Sequence, residues 1–247
     1  MSVLVEACVD SVTSAVAAER GGARRLELCD NLSDGGTTPS AGMISAVKAA
    51  VRIPVVVIIR PRGGGFVYTD TEVGVMRLDI AAARMLGADG VAVGALTRDA
   101  RVHVEQLRQL RDAAAELPVT FHRAFDLVRD QDAALEALVA ERVDRVLTSG
   151  GAPSAIDGAT AIGGLVRRAA GRIVILAGGG VREENVQELV HRTKVREVHV
   201  RGTRVLQVAM TEGRSGIRFR KPLPTEEGAW EETHERRIAE ILRLANG

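Results

Sequence analysis

The chain has 247 residues, of which 46% are hydrophobic, 26% charged and 2% aromatic, with a formal net charge of +1. That balance offers no bulk attraction to nucleic acid or an anionic membrane, and so few aromatics leave little surface for stacking single-stranded bases; neither partner is expected. Two cysteines, without a basic leader in the opening "MSVLVEACVD", suit reduced thiols in the cytoplasm rather than a disulfide scaffold or an exported protein.

In chain order, short runs rich in β-branched residues alternate with stretches of helical spacing. "VLVEA" (3–7) precedes an Ala/Val-rich helical stretch from Ser11 to Arg20. "RLEL" (25–28) is followed, after the helix-start signal Pro39-Ser40, by a helix from Ala41 to Val51. "VVVIIR" (55–60) leads to a helix from Glu72 to Leu86, and "GVAV" (90–93) to one from Val104 to Leu117. "VTFH" (119–122) leads to Asp132–Glu141, "RVLTS" (145–149) to Ile156–Ala170, and "IVILA" (173–177) to Glu183–Arg192. "EVHV" (197–200) closes the series. The apolar run "IPVVVII" is too short to span a bilayer.

Strict alternation predicts a parallel sheet, and eight units predict its closure into a single (β/α)8 TIM barrel over residues 1–210. An open dinucleotide-binding sheet would want G-x-G-x-x-G after its first strand; "EACVDS" has no glycine, so no nucleotide cofactor is expected. Residues 211–247 read as a C-terminal extension of the same domain. It comprises a Pro/Gly-broken connection, "RSGIRFRKPLPTEEG", and an amphipathic helix within "EETHERRIAEILRLANG". The helix's apolar stripe, from Trp230 to Leu244, would cap the barrel or meet a second subunit.

A barrel of this kind builds its active site at the C-terminal ends of its strands. Glu6 and Cys8 end the first strand, and Glu27 and Cys29 the second; members of each pair, two residues apart, share a strand face. Arg60 and Arg62 follow the third strand, and His122, Arg123 and Asp126 follow the fifth. Ser149 ends the sixth, Gly178, Gly179 and Gly180 the seventh, and His199 and Arg201 the eighth. Glu6, Glu27 and His122 are candidates for moving a proton, whereas Asp126 is either a site residue or a helix cap. Arg60, Arg62, Arg123 and Arg201 would orient an anion, and the glycine turn resembles a backbone cradle for phosphate at a helix start. Cys8 and Cys29 are either small buried hydrophobes or a pair converging on one soft metal ion. Strand four adds little.

Five stretches, "ELCDNLSDGGTTPSAGMI" (27–44), "IPVVVIIRPRGGGFVYTD" (53–70), "VTFHRAFD" (119–126), "RVLTSGG" (145–151) and "ILAGGGVREENV" (175–186), together resemble the CutC family. The resemblance implies a cytoplasmic TIM barrel that self-associates, most simply as a homodimer, with a role in copper tolerance and copper ion binding. Cys8 and Cys29 match the positions of the family's proposed copper ligands; members often carry additional thiols that this chain lacks. Copper homeostasis through Cu(I) is the expected function. The alternative is a TIM-barrel enzyme of lyase, isomerase or hydrolase type. It would act on a small anionic or phosphorylated substrate by Glu/His acid–base chemistry, with Glu6, Glu27, His122 and Asp126 catalytic.

Overall fold

The computed structural model describes residues 2–207 and 229–247. Eight strands pair in parallel in chain order, and the last closes on the first. They are β1 (Leu4–Val9), β2 (Arg25–Leu28), β3 (Val55–Ile58), β4 (Gly90–Val93), β5 (Val119–Phe121), β6 (Arg145–Thr148), β7 (Val174–Gly178) and β8 (Glu197–Val200). Between them run α1 (Val12–Arg20), α2 (Ala41–Ala50), α3 (Asp70–Met85), α4 (Val104–Ala114), α5 (Gln131–Ala140), α6 (Ala159–Ala169) and α7 (Val186–Thr193). The expected closed (β/α)8 barrel is the fold.

Local chemistry sets the helix starts. Ser11 and Ser40 accept hydrogen bonds from the backbone N–H of Ser14 and Met43, satisfying donors that no helical carbonyl can reach. Thr69 and Glu72 form a reciprocal capping box, so α3 begins at Asp70 rather than Glu72. Asp130, not Asp126, caps α5. The last barrel helix starts at Val186 instead of Glu183, because residues 183–185 form a turn closed by Asn185, whose side-chain oxygen accepts from the Arg182 N–H at 2.9 Å.

Alternation along the strands divides two environments. Val5, Ala7, Val9, Leu26, Leu28, Val55, Val57, Ile59, Val91 and Val93 face outward into the apolar layer shared with the helices. The opposite set holds Cys8, Cys29, Val56, Ile58 and Ala92 in a small cluster inside the barrel. The same inner face carries charge. Arg25, 5% exposed, forms ion pairs with Glu6 and with Glu197, while Arg145 Nε lies 3.4 Å from Glu197. Charges this deeply buried persist because each has a partner.

Beyond the barrel, β9 (Thr203–Gln207) pairs antiparallel with β10 (Ala229–Thr233), and α8 (Glu235–Asn246) follows. The tail therefore differs from expectation: Glu231, Glu232 and Thr233 belong to a strand, and Trp230 sits on that strand rather than on the helix. The connection "RSGIRFRKPLPTEEG" lies outside the described residues. The apolar stripe of α8 is covered by its own chain, since Ile238 and Ile241 are fully buried where α8 packs on α1 and α7. A stripe already covered supplies no physical reason for a dimer, so that expectation rests on the family resemblance alone. Among the described residues, no helix is long and apolar enough to cross a membrane.

Candidate functional site

The C-terminal mouth of the barrel opens into a cavity of about 640 Å³. Cys8, Glu27, Cys29 and His199 form its floor from β1, β2 and β8. Arg60, His122 and Arg123 come from β3 and β5, while Gly179, Gly180 and Arg201 complete the predicted residues that line it. Sequence reasoning therefore brings together two thiols, a carboxylate, two imidazoles and three guanidinium groups around one space.

Five predicted residues lie elsewhere, each for a visible reason. Glu6 sits one layer deeper, bound to Arg25 and, at 2.8 Å, to His199 Nδ1. Arg62 is a surface clamp: its Nε donates to Glu72 at 2.5 Å and its remaining N–H groups donate to carbonyls of Gly63, Gly65 and Val67. Asp126 ties the turn after β6, accepting from Thr148 Oγ1 at 2.5 Å, Ser149 N at 2.9 Å and Gly151 N at 3.2 Å. Ser149 is spent in the same knot, and its hydroxyl also donates to Ala152 O at 2.6 Å. Gly178 is a strand residue whose missing Cβ makes room for His199, which a methyl there would meet at 2.9 Å.

The phosphate-cradle expectation also shifts. With α7 beginning at Val186, the glycines do not abut a helix N-terminus. Arg201 is not an uncommitted cation, because its guanidinium meets Glu231 of β10 at 2.8 Å.

At the floor, the Cys8 and Cys29 sulfurs are 3.7 Å apart, and Cys29 Sγ is 3.5 Å from Glu27 Oε2. Ligand atoms of Cys8, Glu27 and Cys29 all fall within 4.8 Å of one another, the geometry of a possible metal site. His199 bridges the layers, with Nδ1 on Glu6 and Nε2 3.8 Å from Glu27.

Electrostatics sort these groups. For Glu6, burial alone would raise the pKa, but the His199 hydrogen bond and the Arg25 charge outweigh it and hold the carboxyl at about 2. Burial pushes Glu27 up to about 8 despite the nearby His199, with Cys8 and Glu6 adding to the effect. His199 is held as an imidazolium well above its usual range. Burial opposes the cation, but Cys8, Glu27 and Glu6 prevail. The hydrogen bond from Cys29, reinforced by His199, brings the Cys8 thiol well below its usual range, while the same bond raises Cys29. Of the two thiols, Cys8 is thus the readier to lose its proton.

His122 is of another kind. Burial, with the Arg60 charge nearby, lowers it to about 3, so its ring is neutral. Its Nδ1 accepts the Ala124 N–H at 3.2 Å.

Some contributors escaped sequence reasoning. Gly94, after β4, exists for His122: a Cβ there would lie 2.3 Å from the imidazole Cε1. Arg25 and Glu197 stand at strand starts, where a lone charge looks like rim. Arg237 of α8 lines the cavity while its Nε and a terminal nitrogen hold Glu183 at 2.6 and 2.8 Å. Glycine directly after a strand is too common a signal to have singled out Gly94.

Known proteins resemble this chain along most of its length. The sequence model described as "CutC family" matches residues 3–204. A curated Homo sapiens protein named copper homeostasis protein cutC homolog is 50% identical over 219 residues, covering 88% of this chain and 77% of that protein. A family protein CutC of Chromobacterium violaceum is 42% identical, covering 88% of each chain. The crystal structure of CutC from Streptococcus agalactiae superposes with a TM-score of 0.77 at 38% identity, covering 80% of this chain and 98% of the other.

Proposed function

Because this chain belongs to the CutC family, we propose that it serves copper homeostasis in the cytoplasm by holding copper, as Cu(I), between Cys8 and Cys29. The observation that carries the reading is the 3.7 Å separation of the two sulfurs at the floor of the cavity. With metal–thiolate bonds of about 2.3 Å, the length known for zinc, two sulfurs that far apart can share one ion. Thiolates are the soft donors that Cu(I) selects. Thiols must give up their protons to ligate the ion, so binding releases acid.

Glu27 completes the cluster but is a hard donor, a poor match for Cu(I). Its carboxyl oxygen lies 3.5 Å from Cys29 Sγ. Copper here is cargo, and self-association as a dimer is proposed on family likeness only. The test is competition against a chromophoric Cu(I) chelator under reducing conditions. Wild type should take copper from the chelator, and the Cys8→Ser/Cys29→Ser variant should not.

A second reading, an enzyme acting on a small anion, is favoured by one observation. Glu6 and Glu27, two buried carboxyls near one histidine, are driven apart to about 2 and about 8. Environments that separate like groups in this way commonly assign acid and base roles. In this reading Glu27 carries the proton and Glu6 only positions His199. A substrate-dependent activity erased by Glu27→Gln would support it.

A further inference from the structure

His122 is 4% exposed and lines the cavity, yet its Nε2 has no hydrogen-bond partner among the described residues. The other ring nitrogen fixes the tautomer. Nδ1 accepts the backbone N–H of Ala124, so in a neutral ring the proton resides on Nε2. The ring is also fixed in place, 5.0 Å from Phe66 and 6.2 Å from Phe121 by centroids, with no room for a side chain at Gly94.

Arg60 packs on the same Phe66 ring, its guanidinium 5.0 Å from the centroid, and its charge is felt by His122. It is 5% exposed and also lines the cavity. Carbonyls of Asp34, Gly36 and Gly64 hold its terminal nitrogens at 2.7, 2.7 and 2.8 Å, while its Nε is buried without a partner. Its charge is met by these carbonyls and the Phe66 ring, with no carboxylate in ion-pair contact among the described residues. An unneutralised, buried cation beside a fixed, unused N–H donor is costly to leave so in a folded protein.

We infer that Arg60 and His122 together form a binding site for the carboxylate of a small organic acid, with His122 acting as a neutral hydrogen-bond donor rather than a base. Both residues line one cavity and each keeps an unpartnered N–H, and a carboxylate is the planar, singly charged acceptor that suits a guanidinium and a neutral donor. Neither residue contacts the thiol pair, so the site stands independently of copper binding. For the enzyme reading it names the ligand class.

The experiment is nitrogen-detected NMR on copper-free, full-length protein labelled with 15N-histidine, titrated with malonate and, separately, with inorganic phosphate. Expected are a His122 ring that stays neutral with its proton on Nε2 at pH 6, and a saturable shift of that N–H on malonate addition. His122→Phe, which keeps an aromatic ring and loses the donor, should weaken malonate binding roughly tenfold or more, the consequence of losing one charge-assisted hydrogen bond. Arg60→Lys should weaken it as well. A proton on Nδ1, an imidazolium at pH 6, or no response to malonate would overturn the site. Phosphate binding as well as malonate would overturn the carboxylate assignment. Because no copper is present, none of these results bears on the thiol pair.

Discussion

Cys8 Sγ lies 3.7 Å from Cys29 Sγ although the strand partner of Cys8 in register is Glu27, not Cys29. The two-residue offset keeps both thiols on the inner face of the barrel and places the Glu27 carboxyl between the strands beside them. Below the thiols, Glu6 and His199 join this floor to the buried charges of Arg25 and Glu197. The mouth is thus supported by an ionic layer, and the two can be tested separately.

Arg25→Leu should leave Glu6 and Glu197 buried without their main cation. Breaking one partner out of a buried ion network typically costs about 3–5 kcal/mol. Urea unfolding should show a loss of that order. A change under about 1 kcal/mol would mean that water reaches this layer and already carries part of the charge.

Gly94→Ala puts a methyl within 2.5 Å of His122 Nδ1 and 2.9 Å of the Ala124 Cβ. Overpacking of this kind costs about 1–3 kcal/mol. Thermal unfolding should register it, and the His122 ring resonances should move even where the fold persists. An unchanged His122 spectrum would show that the ring is not held as described.

His122 makes stability depend on pH in one direction. In the unfolded chain it takes up a proton near 6.5, whereas in the fold it does so only at about 3. Between those values acid favours the unfolded state, so native stability falls as pH drops below about 6.5. In urea titrations the stability of wild type relative to His122→Phe should decline through that window, by at most about 1.4 kcal/mol per pH unit. A difference constant from pH 7 to pH 4 would contradict it.

Glu27 works with the opposite slope. Its folded pKa of about 8 exceeds the ordinary 4.5, so the native state holds a proton that the unfolded chain has lost. That contribution is complete below about pH 4.5 and is lost as pH rises to about 8. Glu27→Gln, which mimics the protonated acid, should gain on wild type across that range in the same unfolding assay. Parallel curves would mean that Glu27 is ionised in the fold.

The barrel was legible because periodicity is redundant. Eight β-branched runs separated by helical stretches leave few other architectures, and a helix boundary misplaced by a few residues changes nothing. Orientation at strand ends was legible for Cys8, Glu27, Cys29, His122 and His199, whose parity follows from the strand. It failed wherever a side chain's partner lies far away in the chain. Asp126 looks like a cap or a catalytic acid until the turn after β6 is folded against it. Arg201 looks free until β10 brings Glu231 to it, and the α8 stripe looks exposed until α1 and α7 close over Ile238 and Ile241. Glu6 has the right parity and the wrong depth, since the register with Arg25 is a property of two strands together.

The central claim, that this chain holds copper through its only two thiols, is tested most directly by Cu(I) affinity. Wild type and the Cys8→Ser/Cys29→Ser variant would be titrated under reducing conditions against a competing chromophoric chelator, with folding of both checked by thermal unfolding. The expected result is one Cu(I) per chain for wild type, with proton release, and no competitive uptake by the folded double variant. Equal, weak uptake by both folded proteins would contradict the claim and leave the carboxyl–histidine cluster as the working part of the site.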